Sequence, residues 1–205
     1  MVMAGVSIEE KDIETLRSMG VKDSKLLTKE KREALFEKIK DTVKQYSIMV
    51  MPPKEIDDAL ESEDLNLNWL EAHKAAEIIN KLRPDKAIVD SPSNNCMAYS
   101  SYLRKLLDDP GMNLICMHKA DVKHLEVGAA SILAKVVRDR EMEKIQEKYG
   151  NCGPGYMSNE ITQNFLKEHW ETYPEIFRQS WISYKNHKQA KFQKTLEDFG
   201  RFLGK

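Results

Sequence analysis

Asp90 and Asp121 are the side chains whose type and placement best suit chemistry. The first closes, and the second soon follows, a short apolar run, Lys86 to Asp90 and Asn113 to Met117, that reads as a β-strand. In open α/β sheets, ligands gather outside the C-terminal ends of the strands. Two carboxylates brought together there offer hard oxygen ligands, which suit Mg²⁺ or Mn²⁺. The competing reading is that each aspartate caps a helix or closes a turn, and spacing alone leaves both open. His118-Lys119-Ala120-Asp121 sets a lysine two positions from a carboxylate, useful against a phosphate and equally natural in a solvated loop. Asp23-Ser24-Lys25 could present a hydroxyl and an ammonium to a phosphate near a helix start, or form an ordinary polar turn. Gly153-Pro154-Gly155-Tyr156 is a tight loop carrying one ring, suited to stacking on a sugar or base or to packing at the surface. Lys185, Lys188, Lys191 and Lys194 recur every third residue near the C-terminus, as a backbone-contacting face of nucleic-acid binders would, or as a solvated helix face.

Elements that would position these groups follow from periodicity. Val2 to Ile8 and Tyr46 to Met51 read as strands, with Lys11 to Ser18 a short helix stopped by Gly20. Thr28 is suited to cap a helix whose stripe is Leu35, Phe36, Ile39 and Val43. Ile56 to Leu60 reads as a helical turn or two, and Leu67 to Leu82 as a long helix closed before Pro84. Ala98 to Leu107 follows the Asp90 strand. After Asp121, Ala129, Ile132, Leu133, Val136 and Val137 mark a helix that continues as the charged stretch Arg138 to Lys148. Gly150 to Gly155 is a loop, Ile161 to Trp170 a helix, and Phe192, Leu196, Phe199 and Leu203 seam a last helix. Strands alternating with helices, without a Pro/Ser-rich linker, predict an α/β domain over 1–150 and a helical region of the same domain over 151–205.

Composition removes several classes. The chain has 205 residues, 41% hydrophobic and 32% charged, which excludes a disordered polyelectrolyte. No run approaches the roughly 18 apolar residues of a membrane span, and the start lacks a signal peptide's basic flank. Cys96, Cys116 and Cys152 are odd in number and form no C-x-x-C pair, so free thiols in a reducing cytoplasm are expected; with no apolar span, no membrane partner is expected, and the chain is expected to be a monomer. A formal net charge of −1 gives no bulk argument for nucleic acid, although residues 111–205 carry 15 basic against 12 acidic side chains. No H-x-x-x-H, H-E-x-x-H, G-x-S-x-G or Walker spacing occurs, which removes zincin, serine hydrolase and P-loop readings.

Taken together, G-V-K-D-S-K-L-L-T (Gly20 to Thr28), I-V-D-S-P (Ile88 to Pro92), H-K-A-D (His118 to Asp121), A-A-S-I-L-A-K-V-V-R-D-R (Ala129 to Arg140), G-P-G-Y-M-S (Gly153 to Ser158) and the Trp181 segment resemble ribonuclease HII, most closely its archaeal branch. The resemblance implies an RNase H-like fold, a central mixed β-sheet flanked by helices, with a helical C-terminal region. It implies an endonuclease that hydrolyses the RNA strand of RNA/DNA hybrids and cuts 5′ to ribonucleotides embedded in duplex DNA. The family's catalyst is a set of four carboxylates holding two Mg²⁺ or Mn²⁺ ions, which activate water and neutralise the leaving oxygen. Asp90 and Asp121 match the third and fourth carboxylates. Tyr156 matches the tyrosine beside the 2′-hydroxyl, and Lys25 and Lys119 match basic positions along the phosphate path.

The resemblance has gaps. Family members begin with a strand leading into D-E-A-G-R-G, which supplies the first two carboxylates and an arginine loop; this sequence has no such motif. Met1 to Val6 resembles the family's second strand, and Glu9 and Glu10 lie at its far end. Met157 and Asn159 stand where the family has Pro and Asp, and Leu125-Glu126 where a proline is common. The chain is therefore expected to be a truncated reading of an active ribonuclease HII, or alternatively a catalytically inactive module binding RNA/DNA hybrid or a protein. Phe199 to Leu203, before Lys205, reads either as helix core or as a docking peptide, for which a sliding clamp is the expected partner.

Overall fold

The computed structural model describes the backbone of every residue except Asp23, Glu63, Gly204 and Lys205, and side chains up to residue 193. In chain order the elements are β1 (Val2–Ser7), α1 (Asp12–Ser18), α2 (Lys29–Thr42), β2 (Gln45–Val50), α3 (Pro53–Leu60), α4 (Leu67–Leu82), β3 (Lys86–Asp90), α5 (Cys96–Arg104), β4 (Asn113–Met117), α6 (Ala120–Lys123), α7 (Leu125–Tyr149), α8 (Glu160–His169) and α9 (Ile182–Leu203), with single 3₁₀ turns at Ser24–Leu26 and Pro174–Ile176. They group into two compact units, Met1–Met51 with Glu63–Arg140, and Pro52–Ser62 with Glu141–Lys205.

Local chemistry explains most boundaries. The Thr28 hydroxyl accepts from the Lys31 N–H at 3.3 Å and opens α2. Asn66 does the same for α4 through the Trp69 N–H, at 3.0 Å. That helix ends where Arg83 turns left-handed (φ 46°), directly before Pro84. Gly20, at φ 81°, takes the same conformation after α1, where a side chain would be strained.

In the first unit the strands form two ladders. β1 and β2 pair antiparallel from Val2↔Val50 to Ser7↔Gln45, and β3 and β4 pair parallel from Lys86↔Asn113 to Asp90↔Met117. One mixed sheet was expected; among the described residues there are two two-stranded ones, because no strand lies between β1 and β3.

The alternation along the strands sorts the core into two layers. Ala4, Val6 and Ile8 pack with Leu16, Phe36, Ile39, Ile132 and Leu133 on the side of α1, α2 and α7. Met3, Ala87, Val89, Leu114 and Cys116 pack with Ala72, Ala76, Tyr99 and Leu103 on the side of α4 and α5. At Gly5 α4 comes so close that a Cβ would lie 2.5 Å from Cγ2 of Ile78.

An ionic knot ties α2 to α7. Asp139 accepts from Arg32 at 3.0 Å, Lys135 at 2.8 Å and Arg138 at 3.2 Å. Burial pushes its carboxyl upward, but Lys135, Arg138 and Arg32 outweigh that and hold it below the usual carboxylate range. A lowered carboxyl stabilises the fold at pH above its unfolded value and stops doing so as pH falls through the folded value. Asp139→Asn is expected to cost about 2 kcal/mol at pH 7, since it removes the counter-charge from a largely buried guanidinium that keeps only the Ser24 and Leu27 carbonyls. The difference from the parent should shrink as the medium is acidified below about pH 4; urea melts across that range measure it, and a pH-independent difference would contradict the assignment.

The second unit is organised by rings and one structured loop. Tyr149, Phe165, His169, Tyr173, Phe177 and Tyr184 form successive ring contacts. Asp57 of α3 accepts the backbone N–H groups of Gln179 and Ser180, at 2.7 and 3.0 Å, ahead of α9. Among the described residues, no helix is long and apolar enough to cross a membrane.

Candidate active site

The C-terminal ends of β3 and β4 bring Asp90 and Asp121 together. Asp90 closes β3, and its Oδ1 accepts the Ala120 N–H at 2.9 Å, one residue from Asp121. That N–H points at β3 because Lys119 adopts a left-handed conformation (φ 55°), an uncommon state for a residue with a side chain and one that recurs at functional sites. Asp90 is exposed, whereas Asp121 on α6 is only 6% exposed. Asp121 meets the Lys25 ammonium at 3.5 Å, a side chain itself 78% exposed. A buried carboxylate normally has close, multiple partners; this one has a single long one among the described residues and faces a cleft.

That cleft, of about 970 Å³, lies between β1 and β3 and carries Asp90, Asp121, Glu126 and Ser131 at one end. Gly128 on α7 makes the arrangement compact, since a Cβ there would stand 3.2 Å from the Asp121 carbonyl oxygen. Ser131 shares a 2.9 Å hydrogen bond with Ser24, the neighbour of Lys25, and so anchors the lysine's turn to α7. His118 meets the Asn94 side chain at 3.0 Å. Asn94, an asparagine in a turn, carries no pattern of its own along the sequence, and Ser131, although inside the Ala129 to Arg140 motif, has its contact with Ser24 only through the fold.

Of the residues expected at the site, Asp90, Asp121, Lys25 and Lys119 all belong to the first unit and cluster at these strand ends. Tyr156 belongs to the second unit, in the loop before α8, and is 48% exposed. The loop is held by Thr162, whose hydroxyl donates to the Cys152 carbonyl at 3.0 Å and accepts the Gly155 N–H at 3.1 Å. Gly153 sits at φ 64°, where a Cβ would meet Oγ1 of Thr162 at 2.7 Å and Oδ1 of Asn159 at 2.9 Å. Gly153→Ala is therefore expected to destabilise the second unit by about 2–4 kcal/mol, combining left-handed strain with overpacking. A urea titration followed by tryptophan fluorescence reads this, and an unchanged midpoint would contradict it.

Asp90 and Asp121 can be tested against a divalent cation. Mg²⁺ or Mn²⁺ asks for about six oxygens, and Mg²⁺ is commonly held by one or two carboxylates with waters and phosphate oxygens completing the shell. The two aspartates supply hard oxygens of the kind such an ion takes. They do not fit a two-cation centre, because among the described residues no group of three or more His, Cys, Asp or Glu is placed to hold a metal.

An α/β core split by a cleft, with carboxylates at its C-terminal strand ends, places the molecule among RNase H-like proteins, and solved structures agree. The crystal structure of ribonuclease H2 from Pyrococcus horikoshii superposes with a TM-score of 0.80 at 37% identity, covering 93% of this chain and 98% of that one. A PCNA:RNase HII complex from Archaeoglobus fulgidus matches with a TM-score of 0.79 at 36% identity, over 90% of this chain and 86% of that one. Residues 1–184 match the ribonuclease HII family model. Ribonuclease HII of Pyrococcus horikoshii is 41% identical over 97% of this chain and 91% of its own length. That of Thermococcus sibiricus is 39% identical over 100% and 92%. The chain belongs to the ribonuclease HII family, and is by family a nuclease of the hydrolase class.

Proposed function

We propose that the chain's nuclease chemistry is centred on Asp90 and Asp121, and that its substrates are RNA/DNA hybrids and duplex DNA carrying ribonucleotides, cut on the 5′ side of the ribonucleotide. The observation that supports this most is Asp121, a carboxylate kept buried at a strand end with one 3.5 Å cation and an open cleft before it. Bound there, Mg²⁺ or Mn²⁺ would supply Lewis-acid polarisation of a phosphate oxygen. Asp90 lines the cleft with its Oδ1 held by the Ala120 N–H. Lys25 and Lys119 set positive charge beside the scissile phosphate, and Tyr156 stacks on the sugar that carries the 2′-hydroxyl.

The assay is nicking of a DNA duplex containing one ribonucleotide, with Mg²⁺ or Mn²⁺, against the all-deoxy duplex. Cleavage leaving a 3′-hydroxyl next to the ribonucleotide supports the reading; equal cutting of both duplexes contradicts the substrate. A second reading, an inactive module that holds hybrid, draws on the presence of two carboxylates rather than four. It predicts salt-sensitive hybrid binding with no cleavage in any form of the protein.

We further propose a cytoplasmic monomer that contacts a sliding clamp. The PCNA complex of the Archaeoglobus fulgidus relative is what recommends the clamp. The docking peptide expected at Phe199 to Leu203 and Lys205 lies outside the described side chains, as does Lys194 of the basic series. Within that series, Lys191 pairs with Glu171 at 2.6 Å rather than facing solvent alone.

A further inference from the structure

One flank of α7 touches both segments that bring Lys25 and Asp121 together. At Gly128 the backbones close in, since a Cβ there would stand 3.2 Å from the Asp121 carbonyl oxygen and 3.6 Å from that of Lys22. Further along, Ser131 shares its 2.9 Å hydrogen bond with Ser24. Further still, Asp139 takes up the Arg32 guanidinium at 3.0 Å. Gly128 and Asp139 are nearly in line on the helix, because about three turns separate them, and Ser131 lies roughly 60° to one side.

Arg32 grips the same turn from α2. Its Nη1 donates to the Ser24 carbonyl at 3.2 Å and to the Leu27 carbonyl at 2.6 Å, one on each side of Lys25, while its Nη2 donates to Asp139. A planar guanidinium can fork in this way, whereas an ammonium is a point charge. The Arg32 side chain is 11% exposed, and its buried Nε has no hydrogen-bond partner among the described residues. A buried guanidinium with an orphan N–H is a costly way to tie two helices, and apolar packing does that as well or better. Apolar side chains do not supply the two carbonyl bonds that fix where the Lys25 side chain starts. Lys25 is long and exposed, with many rotamers, so the direction in which it leaves the backbone decides how its ammonium reaches Asp121.

On the reading of Lys25 as a phosphate contact, we propose that Arg32 is a positioning residue for the nuclease. Clamped to α7 through Asp139, it fixes the Ser24 to Leu27 turn so that the Lys25 ammonium is held beside Asp121, where the substrate phosphate arrives. Arg32 itself touches no substrate and acts through Lys25. Charge and geometry are therefore separable at this position. A lysine at position 32 keeps a cation opposite Asp139 and loses the fork onto the two carbonyls.

The test uses the full chain with Arg32→Lys, Arg32→Gln and Lys25→Ala, read in two ways. Hydrogen exchange at the Leu27 amide, which donates to the Ser24 carbonyl at 3.4 Å, reports the turn without nucleic acid. Arg32→Lys is expected to speed it about tenfold, with the Leu35 to Ile39 amides of α2 within about twofold of the parent. Affinity for a labelled RNA/DNA hybrid across a salt series reports Lys25, whose alanine variant should lower the salt slope by about one. Both Arg32 variants should lose the same slope, and adding Lys25→Ala to either should lose no more. An Arg32 that only stabilises the fold would lower the melting temperature, leave the slope of the folded protein unchanged and add to Lys25→Ala. Unchanged exchange at Leu27, an unchanged slope in the Arg32 variants, or additive losses would overturn the proposal. If the turn loosens while Lys25→Ala binds hybrid like the parent, the phosphate reading of Lys25 fails and the proposal falls with it. An undisturbed turn in a chain that needs Lys25 for hybrid binding removes the positioning role alone.

Discussion

Asp121→Asn, made in a form of the protein extended by a strand ending in D-E-A-G-R-G, is expected to slow single-turnover nicking at a ribonucleotide on the order of 10³-fold or more. The reason is the position of the carboxylate. Asp121 is the buried member of the pair, so its charge is little screened by water and its field on a cation or phosphate at the strand end is correspondingly strong. The amide is nearly isosteric and removes the charge without removing bulk. Stability should change little or rise, because the variant no longer buries a charge paired with a 78% exposed lysine 3.5 Å away. That split, a large loss of rate with an unchanged or higher melting temperature, separates a functional carboxylate from a structural one. A structural Asp121 would behave oppositely: the melting temperature would fall and the residual rate would track the folded fraction. Rates within tenfold of the parent would remove Asp121 from the catalytic assignment.

The second large effect is the difference between residues 1–205 and the extended form. The chain as it stands is expected to nick the single-ribonucleotide duplex at least about a thousandfold more slowly, since two carboxylates hold at most one cation with its waters, and two-cation catalysis stabilises both attacking and leaving oxygens. Binding should suffer less. Lys25 and Lys119 are present in both forms, and phosphate contacts of this kind supply most of the salt-dependent affinity for duplexes. The comparison is therefore a pair of measurements on each form, cleavage rate and hybrid affinity across a salt series. Comparable cleavage by both forms would show that Asp90 and Asp121 suffice. Absence of cleavage by both, with salt-sensitive binding retained, would favour the inactive binding module.

These outcomes depend on features that differ greatly in how visible they are along the chain. The α4 boundaries and the β3 and β4 strands coincide with their readings from periodicity, because an Asn cap, a following proline and an alternating apolar run act through neighbours within a turn or two. α7 begins at Leu125, earlier than its apolar stripe at Ala129 suggests, since the first turn of a helix can form before its buried face starts. α5 starts at Cys96 rather than Ala98, where the Asn95 side chain accepts the Ala98 N–H at 3.0 Å. Such shifts are small because they are local.

The candidate site is another matter. The motif I-V-D-S-P and the motif H-K-A-D are each readable, but their meeting rests on the parallel register Asp90↔Met117 and on the Ala120 N–H reaching back 30 positions to Asp90. Lys25 meets Asp121 across 96 positions. No local propensity encodes either distance.

By itself, the sequence determined the family, most of the helices and the strands but not α6, and which carboxylates and lysines could do chemistry, since residue type, period and capping are properties of short segments. Only the tertiary structure decided that Asp121 is buried while Asp90 is exposed, that Lys25 meets Asp121, and that β1 and β3 line one cleft. Burial and sheet adjacency are set by packing among distant segments, where the apolar faces of α4 and α7 and the pairing needs of backbone edges act together.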